Sequence, residues 1–223
     1  VVGRMLKLAL ENDFSNVDQV GLVLSRMPSN PQQFHVGILY SSGLGPKVLH
    51  LWGGVVSQAP DARYCWFDLG LRFKKMDKVA LLANILDIVE NCGDLDLRYG
   101  FDDPKCVFDG AGNFKAEFAG HGFTCATFVL SVLESFGFPL LKCEEWPEGV
   151  EGNIDWQLDV VRHFISGDPE WARNLMHKVG AKRFTPCHAV AASQINIPCG
   201  FEHASALGAI IHDLVPFPKG LAA

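Results

Sequence analysis

The chain has no GxSxG elbow, no GxxxxGKS or GxxxxGKT loop, no HExxH pair and no GxGxxG opening a helix. The usual serine-hydrolase, nucleotide-binding and zinc-protease readings therefore lack their defining residues. Long apolar runs are missing as well: Ser, Glu, His or Asp interrupts every stretch well before the roughly 18 residues of a membrane span. Basic residues are too few to coat a phosphate backbone, with 19 Lys and Arg against 25 Asp and Glu and a formal charge of −6. Nonspecific nucleic-acid binding is excluded on that balance. The seven cysteines, at 65, 92, 106, 125, 143, 187 and 199, form no CxxC pair and no even spacing. Neither a disulfide framework nor a zinc ribbon is readable from them. Reduced thiols fit a cytoplasmic protein and leave secretion as an effector open. No signal peptide opens the chain, and it begins at Val1 without Met, as a processed form or a piece of something longer would.

What is present is ordinary globular material. With 223 residues, 48% hydrophobic and 20% charged, one domain spanning 1–223 can build its own core. Residues 1–30 are ambiguous between strand and helix. Phe34–Tyr40 and Lys47–Trp52 flank the Gly/Pro-rich loop 41–46 and read as a β-hairpin, with a third strand at 64–69. Met76–Asn91 reads as a helix with a polar stripe at Asp77, Asn84, Asp87 and Asn91, and Gly93 stands where a C-terminal cap belongs. A second helix starts after Thr124, a suitable N-cap, with Phe128, Val129, Val132, Leu133 and Phe136 on its apolar face, and stops at Gly137 and Pro139. Further helices are expected near 155–166, 169–179 and 203–214. Strands first and helices afterwards give an α+β class.

Among the thiols, Cys125 stands out by position. In the first turn of a helix, the macrodipole and the unpaired N–H groups favour a thiolate and can receive a developing oxyanion. The preceding Gly120-His121-Gly122 lets the backbone turn sharply beside it. The alternative is a small buried apolar residue, the common state of a free cysteine. His35 and His50 sit on the two hairpin strands. If paired positions sum to an odd number, both imidazoles share a face and lie within roughly 5–8 Å at Cβ. One could then deprotonate Cys125 while the other fixes its tautomer. Two histidines on a half-buried sheet by chance is the competing reading.

Taken together, these residues resemble the circularly permuted papain-like fold. Phe34-His35-Val36-Gly37-Ile38-Leu39-Tyr40 with Val48-Leu49-His50-Leu51 is similar to the paired-strand histidine signature of the lecithin:retinol acyltransferase-like group. Phe123–Val129 followed by Leu133–Gly137 resembles the nucleophile helix of permuted NlpC-type hydrolases, as does Tyr99-Gly100-Phe101-Asp102 before it. The resemblance implies an antiparallel sheet packed against the nucleophile helix, a catalytic core at about 30–140 and a helical C-terminal extension at about 144–223. It implies a Cys-His-His triad: Cys125 as nucleophile, His35 as general base and acid, His50 orienting His35. The Cys125 backbone N–H supplies one oxyanion donor, with Thr124, His121 and Tyr99 as further substrate or oxyanion candidates. The activity implied is hydrolysis of a peptide or isopeptide bond, a cell-wall peptide being one case, through a thioacyl intermediate and without cofactor or metal. Partners would be peptide, peptidoglycan or protein substrates, with room for an inhibitor or immunity protein. An acyltransferase, thioesterase or deamidase would use the same thiol, and a noncatalytic interaction domain could keep the same fold. Residues 101–121 form an insertion beside the nucleophile that the resemblance does not cover.

Three further groups are expected to be structural. Cys187, His188, Cys199 and His203 match no common zinc module, though they could stabilise an interaction domain by binding metal. Trp146, Trp156 and Trp171 read as core anchors. Asp94, Asp96, Asp102 and Asp103 lack the EF-hand spacing and read as a solvated acidic turn.

Overall fold

Apolar, β-branched runs separated by tight turns build a six-stranded sheet. Its strands in chain order are β1 (Leu6–Leu8), β2 (Val20–Met27), β3 (Asn30–Ser42), β4 (Gly45–Leu51), β5 (Val55–Gln58) and β6 (Cys65–Asp68). They lie side by side in the order β1-β6-β2-β3-β4-β5, each pairing antiparallel. The computed structural model describes residues 13–70, 73–91, 95, 97–195 and 198–217, and the backbone of 6–8. Two short parallel strands, β7 (Arg98–Tyr99) and β8 (Gly122–Phe123), form a separate pair. The helices are α1 (Lys75–Asn91), α2 (Cys125–Ser135), α3 (Glu151–Ile165), α4 (Pro169–Met176), α5 (Pro186–Ser193) and α6 (Phe201–Leu214). The chain is thus mixed α+β with an antiparallel sheet and helices.

The expected hairpin is β3 with β4, and the expected third strand is β6. The ambiguous N-terminal segment contributes β2, an inner strand between β6 and β3. It lies before residue 30, so the sheet begins earlier in the chain than the expected core.

Alternation assigns the two faces of the sheet. Leu22, Leu24, Val36, Ile38, Tyr40, Leu49, Cys65 and Phe67 join a large core with α1, α2, α5 and α6. Val23, Leu39, Val48 and Trp66 point the other way, against Phe14, Val17 and Tyr64. Because α5 and α6 bury Val190, Ala204 and Ile211 in the same large core, the helical tail and the sheet share one interior. A third cluster, around Trp171, joins α3 to α4.

Helix α2 is buried all round, from Cys125 through Leu133. That exceeds the single apolar face expected from its sequence, because the sheet lies on one side and α5 on another. Its N-terminus closes with a capping box in which Thr124 Oγ1 accepts from Thr127 N–H and Thr124 N–H donates to Thr127 Oγ1. Arg26 fastens the tail to the sheet. Though only 3% exposed, it donates to the carbonyls of Pro31, His212 and Val215, and its guanidinium lies between the Phe34 and Phe217 rings.

Several expectations need correction. Trp146 and Trp171 are buried, but Trp156 is only partly so and faces a cavity. Asp102 and Asp103 are not a solvated turn: Lys178 lies 2.6 Å from Asp102 and Lys182 lies 3.6 Å from Asp103. Asp94, Asp96, Cys92 and Gly93 lie outside the described residues. The zinc quartet is divided, since Cys187 and His188 line one cavity while Cys199 and His203 line another. No three metal-ligating side chains converge among the described residues. No described helix is long and apolar enough to cross a membrane.

Candidate active site

The register of the hairpin decides the histidine geometry. Ile38 pairs with Leu49 and Leu39 with Val48, so the pairing sum is odd and Gly37 falls opposite His50. Both imidazoles therefore share one sheet face. A Cβ at Gly37 would come within 2.6 Å of Val48 and 3.0 Å of the His50 Cβ. Glycine leaves the space over which His50 leans diagonally to His35. The two rings meet edge-on, with His35 Nε2 and His50 Nδ1 2.7 Å apart and sharing a proton. The Trp52 ring covers His35 from the next position, 5.2 Å away.

Burial sets the charge of this pair. His35 is 5% exposed, and desolvation, with a smaller push from His50, lowers its pKa to about 3. Desolvation lowers His50 as well. Both rings are neutral at physiological pH. His50 Nε2 has no hydrogen-bond partner among the described residues.

Cys125 is brought in from the opposite face of the sheet. It is the first residue of α2, placed by a parallel pairing that sets Tyr99 beside Phe123. Gly100 and Gly122 touch so closely that a Cβ on either would sit within 2.9 Å of the other's Cα. Asp102 locks the same turn by accepting from Gly122 N–H at 2.7 Å while pairing with Lys178. The motif Tyr99–Asp102 thus acts as a brace for the approach to Cys125. Burial pushes the Cys125 thiol up to about 11, outweighing the N–H groups of Val36, Ala126 and Cys125 itself that point at the sulfur. The expectation of a thiolate near neutral pH is corrected accordingly: desolvation dominates the helix end.

Cys125 opens onto a cavity of about 390 Å³ whose wall includes Phe34, Tyr99, Thr124, Trp156, Arg183 and His188. Helices α5 and α6 form much of that wall, and sequence reasoning did not foresee it. The Thr185-Pro186 dipeptide, an N-cap followed by proline at the first helical position, was the available signal for α5. His35 and His50 do not line the cavity, although Phe34, the neighbour of His35, does. No hydrogen bond joins His35 to Cys125 among the described residues. The contact between the two halves is the Val36 amide, next in sequence to His35, directed at the Cys125 sulfur.

The remaining candidates separate. Tyr99 faces the cavity, and its hydroxyl bonds to no described side chain or backbone group. Thr124 lines the cavity too, but both its N–H and its hydroxyl are spent on the cap, so it cannot donate that N–H to an oxyanion. His121 lies off the cavity, with its ring against Phe118 and its Nδ1 3.1 Å from the Phe118 carbonyl. The insertion 101–121 binds along the flank of α2 through Ser131 and Ser135 rather than over the cavity.

No family model, curated protein or solved structure matches the chain. The arrangement offers a thiol at a helix end, a neutral imidazole pair one residue from the amide that contacts the sulfur, and a cavity for a small ligand. Those parts suit acyl transfer to sulfur, with proton movement by imidazole.

Proposed function

We propose that the chain is a cysteine hydrolase of permuted papain-like topology that cleaves an amide bond through a thioacyl intermediate. The observation that carries the reading is the Cys125 sulfur held against the Val36 amide, next to His35, with His35 in turn bonded to His50. In the catalytic tautomer His35 donates Nε2–H to His50 Nδ1 and keeps Nδ1 free as a base. Substrate entry displaces the thiol from Val36, and as sulfur attacks the acyl carbon its proton is relayed by a water to His35 Nδ1, because the two side chains stand on opposite faces of the sheet. The Cys125 N–H and the Tyr99 hydroxyl face the developing oxyanion. The C–N bond then breaks, the amine takes the proton from His35, and the acyl group remains on sulfur. Water attacks the thioester, gives a proton to His35, and releases the acid with the thiol restored. Because Cys125 is raised to about 11 and His35 lowered to about 3, the resting pair is uncharged. Proton transfer therefore accompanies attack instead of preceding it as a stored ion pair.

A second reading has its own observation. A buried thiol and a histidine pair that both stay neutral, the latter off the cavity, are also what a noncatalytic ligand-binding domain would contain. Turnover of a peptide and isopeptide library by folded variants separates the two. The hydrolase reading expects His35→Ala to lose about 10²–10⁴-fold, the usual worth of general acid–base transfer. His50→Gln should retain more than His50→Ala, since an amide partly replaces the orienting bond. Turnover by the parent chain no greater than that of folded Cys125→Ala would favour the binding domain.

A further inference from the structure

Most cationic side chains here have found partners. Arg63, Arg98 and Arg162 each pair with an Asp, and Arg26 donates to three carbonyls. Arg183 differs. It is partly buried on the wall of the Cys125 cavity and has no carboxylate partner among the described residues. Its guanidinium carbon lies over the Trp156 ring, 4.2 Å from the centroid, and its one side-chain hydrogen bond among the described residues, to Asn153 Oδ1, is long at 3.4 Å. A guanidinium carries five donors, so most of this fork is unspent. Among the described residues no other Lys or Arg lines the cavity. The N-terminal turns of α2 and α5 reach the same wall, through Thr124 and Cys125 and through Thr185 to His188, and add the positive ends of two helices.

We propose that Arg183 binds a carboxylate of the substrate, so that the cavity selects peptides or acyl compounds carrying one negative charge near the bond offered to Cys125. The part of this that concerns the scissile bond rests on the hydrolase reading; the anion site does not. A planar fork stacked on an indole matches a carboxylate in two parallel hydrogen bonds. A phosphate dianion fits less well. His188 on the same wall is neutral, burial holding it down to about 4, and Asp213 repels a second negative charge.

Two measurements test this on the full chain, using Arg183→Gln and the charge-preserving Arg183→Lys. The first compares alkylation by iodoacetate and its neutral isostere iodoacetamide, read by peptide mass spectrometry at Cys125 and at the exposed Cys106. Cys125 should favour iodoacetate by about 10–100-fold more in the parent chain than in Arg183→Gln, the worth of a charge-assisted hydrogen bond, while the preference at Cys106, set by Lys115 beside its sulfur, should not change. Arg183→Lys should give a ratio at Cys125 between those of the parent chain and Arg183→Gln. The second measures thermal stabilisation by N-acetylglycinate, N-acetylglycinamide and inorganic phosphate. Stabilisation by the carboxylate alone, lost in Arg183→Gln, supports the proposal. Equal ratios at Cys125 with and without Arg183 would overturn it while leaving the nucleophile intact. Tighter Arg183-dependent binding of phosphate would also overturn it. If Cys125 reacts with neither reagent, an Arg183-dependent response to N-acetylglycinate keeps the anion site and removes the hydrolase reading. No response would remove both.

Discussion

Replacing His35 by Gln should make the protein more tolerant of acid. In the unfolded chain an imidazole takes its proton near pH 6.5, but folded His35 refuses it until about pH 3. Between those values the unfolded state binds more protons, so stability falls as pH falls through the window and is fully present above it. For one group with these two pKa values, the loss between pH 7 and pH 4.5 works out at about 2.5 kcal/mol. His188, lowered to about 4, adds a similar slope that both proteins share. Gln cannot protonate, yet its amide can still reach His50. Urea unfolding of the parent chain and of His35→Gln at pH 7, 6, 5 and 4.5 measures the difference. The variant should start less stable at pH 7, by about 1–3 kcal/mol for the disturbed buried bond. It should then lose about 2.5 kcal/mol less on acidification, so that the two curves converge or cross. Parallel curves would mean that His35 titrates like an exposed imidazole. The uncharged resting pair, and the coupled proton transfer built on it, would then be wrong.

Three other outcomes follow from the packing. Gly37→Ala should displace His50 from His35, because the added methyl meets Val48 and the His50 Cβ; activity should fall several-fold in a chain that still folds, and an unchanged rate would detach the pair from function. Arg26→Gln should cost about 3–5 kcal/mol in urea unfolding, since it empties one buried and two part-buried carbonyl contacts that hold the tail, and a cost under about 1 kcal/mol would show that they do not bear on stability. With iodoacetamide at pH 7, Cys106 should be modified first in the folded chain and Cys125 slowly, which reverses the order expected from the helix end alone; faster modification of Cys125 would contradict its burial.

The parts legible in the sequence are those where one side of an element meets water. The β3–β4 hairpin shows alternation and a Gly/Pro turn, but its register is not legible in the sequence; the structure makes it odd and so joins His35 to His50. Thr124 marked the start of α2 because a cap is a local feature. Strand β2 was not legible because it is buried on both faces, so Val20–Leu24 reads as a continuous apolar run without period. Helix α5 failed for the same reason: Ala189–Ser193 is buried all round and has no stripe. The cavity wall is built largely from α5, the segment leading into it and α6, so Arg183 and Trp156 carried no visible signal. The state of the thiol was misjudged because the helix end is a local effect, whereas desolvation depends on everything packed over Cys125.

The central claim is that Cys125 is a nucleophile activated by His35. A peptide vinyl sulfone, incubated with the folded chain and located by intact mass and peptide mapping, tests it most directly. The account predicts one adduct, on Cys125, formed while Cys106 is still unmodified and slowed about 10²-fold or more in folded His35→Ala. Labelling of Cys125 at the same rate with and without His35, or only after the chain is unfolded, would contradict it.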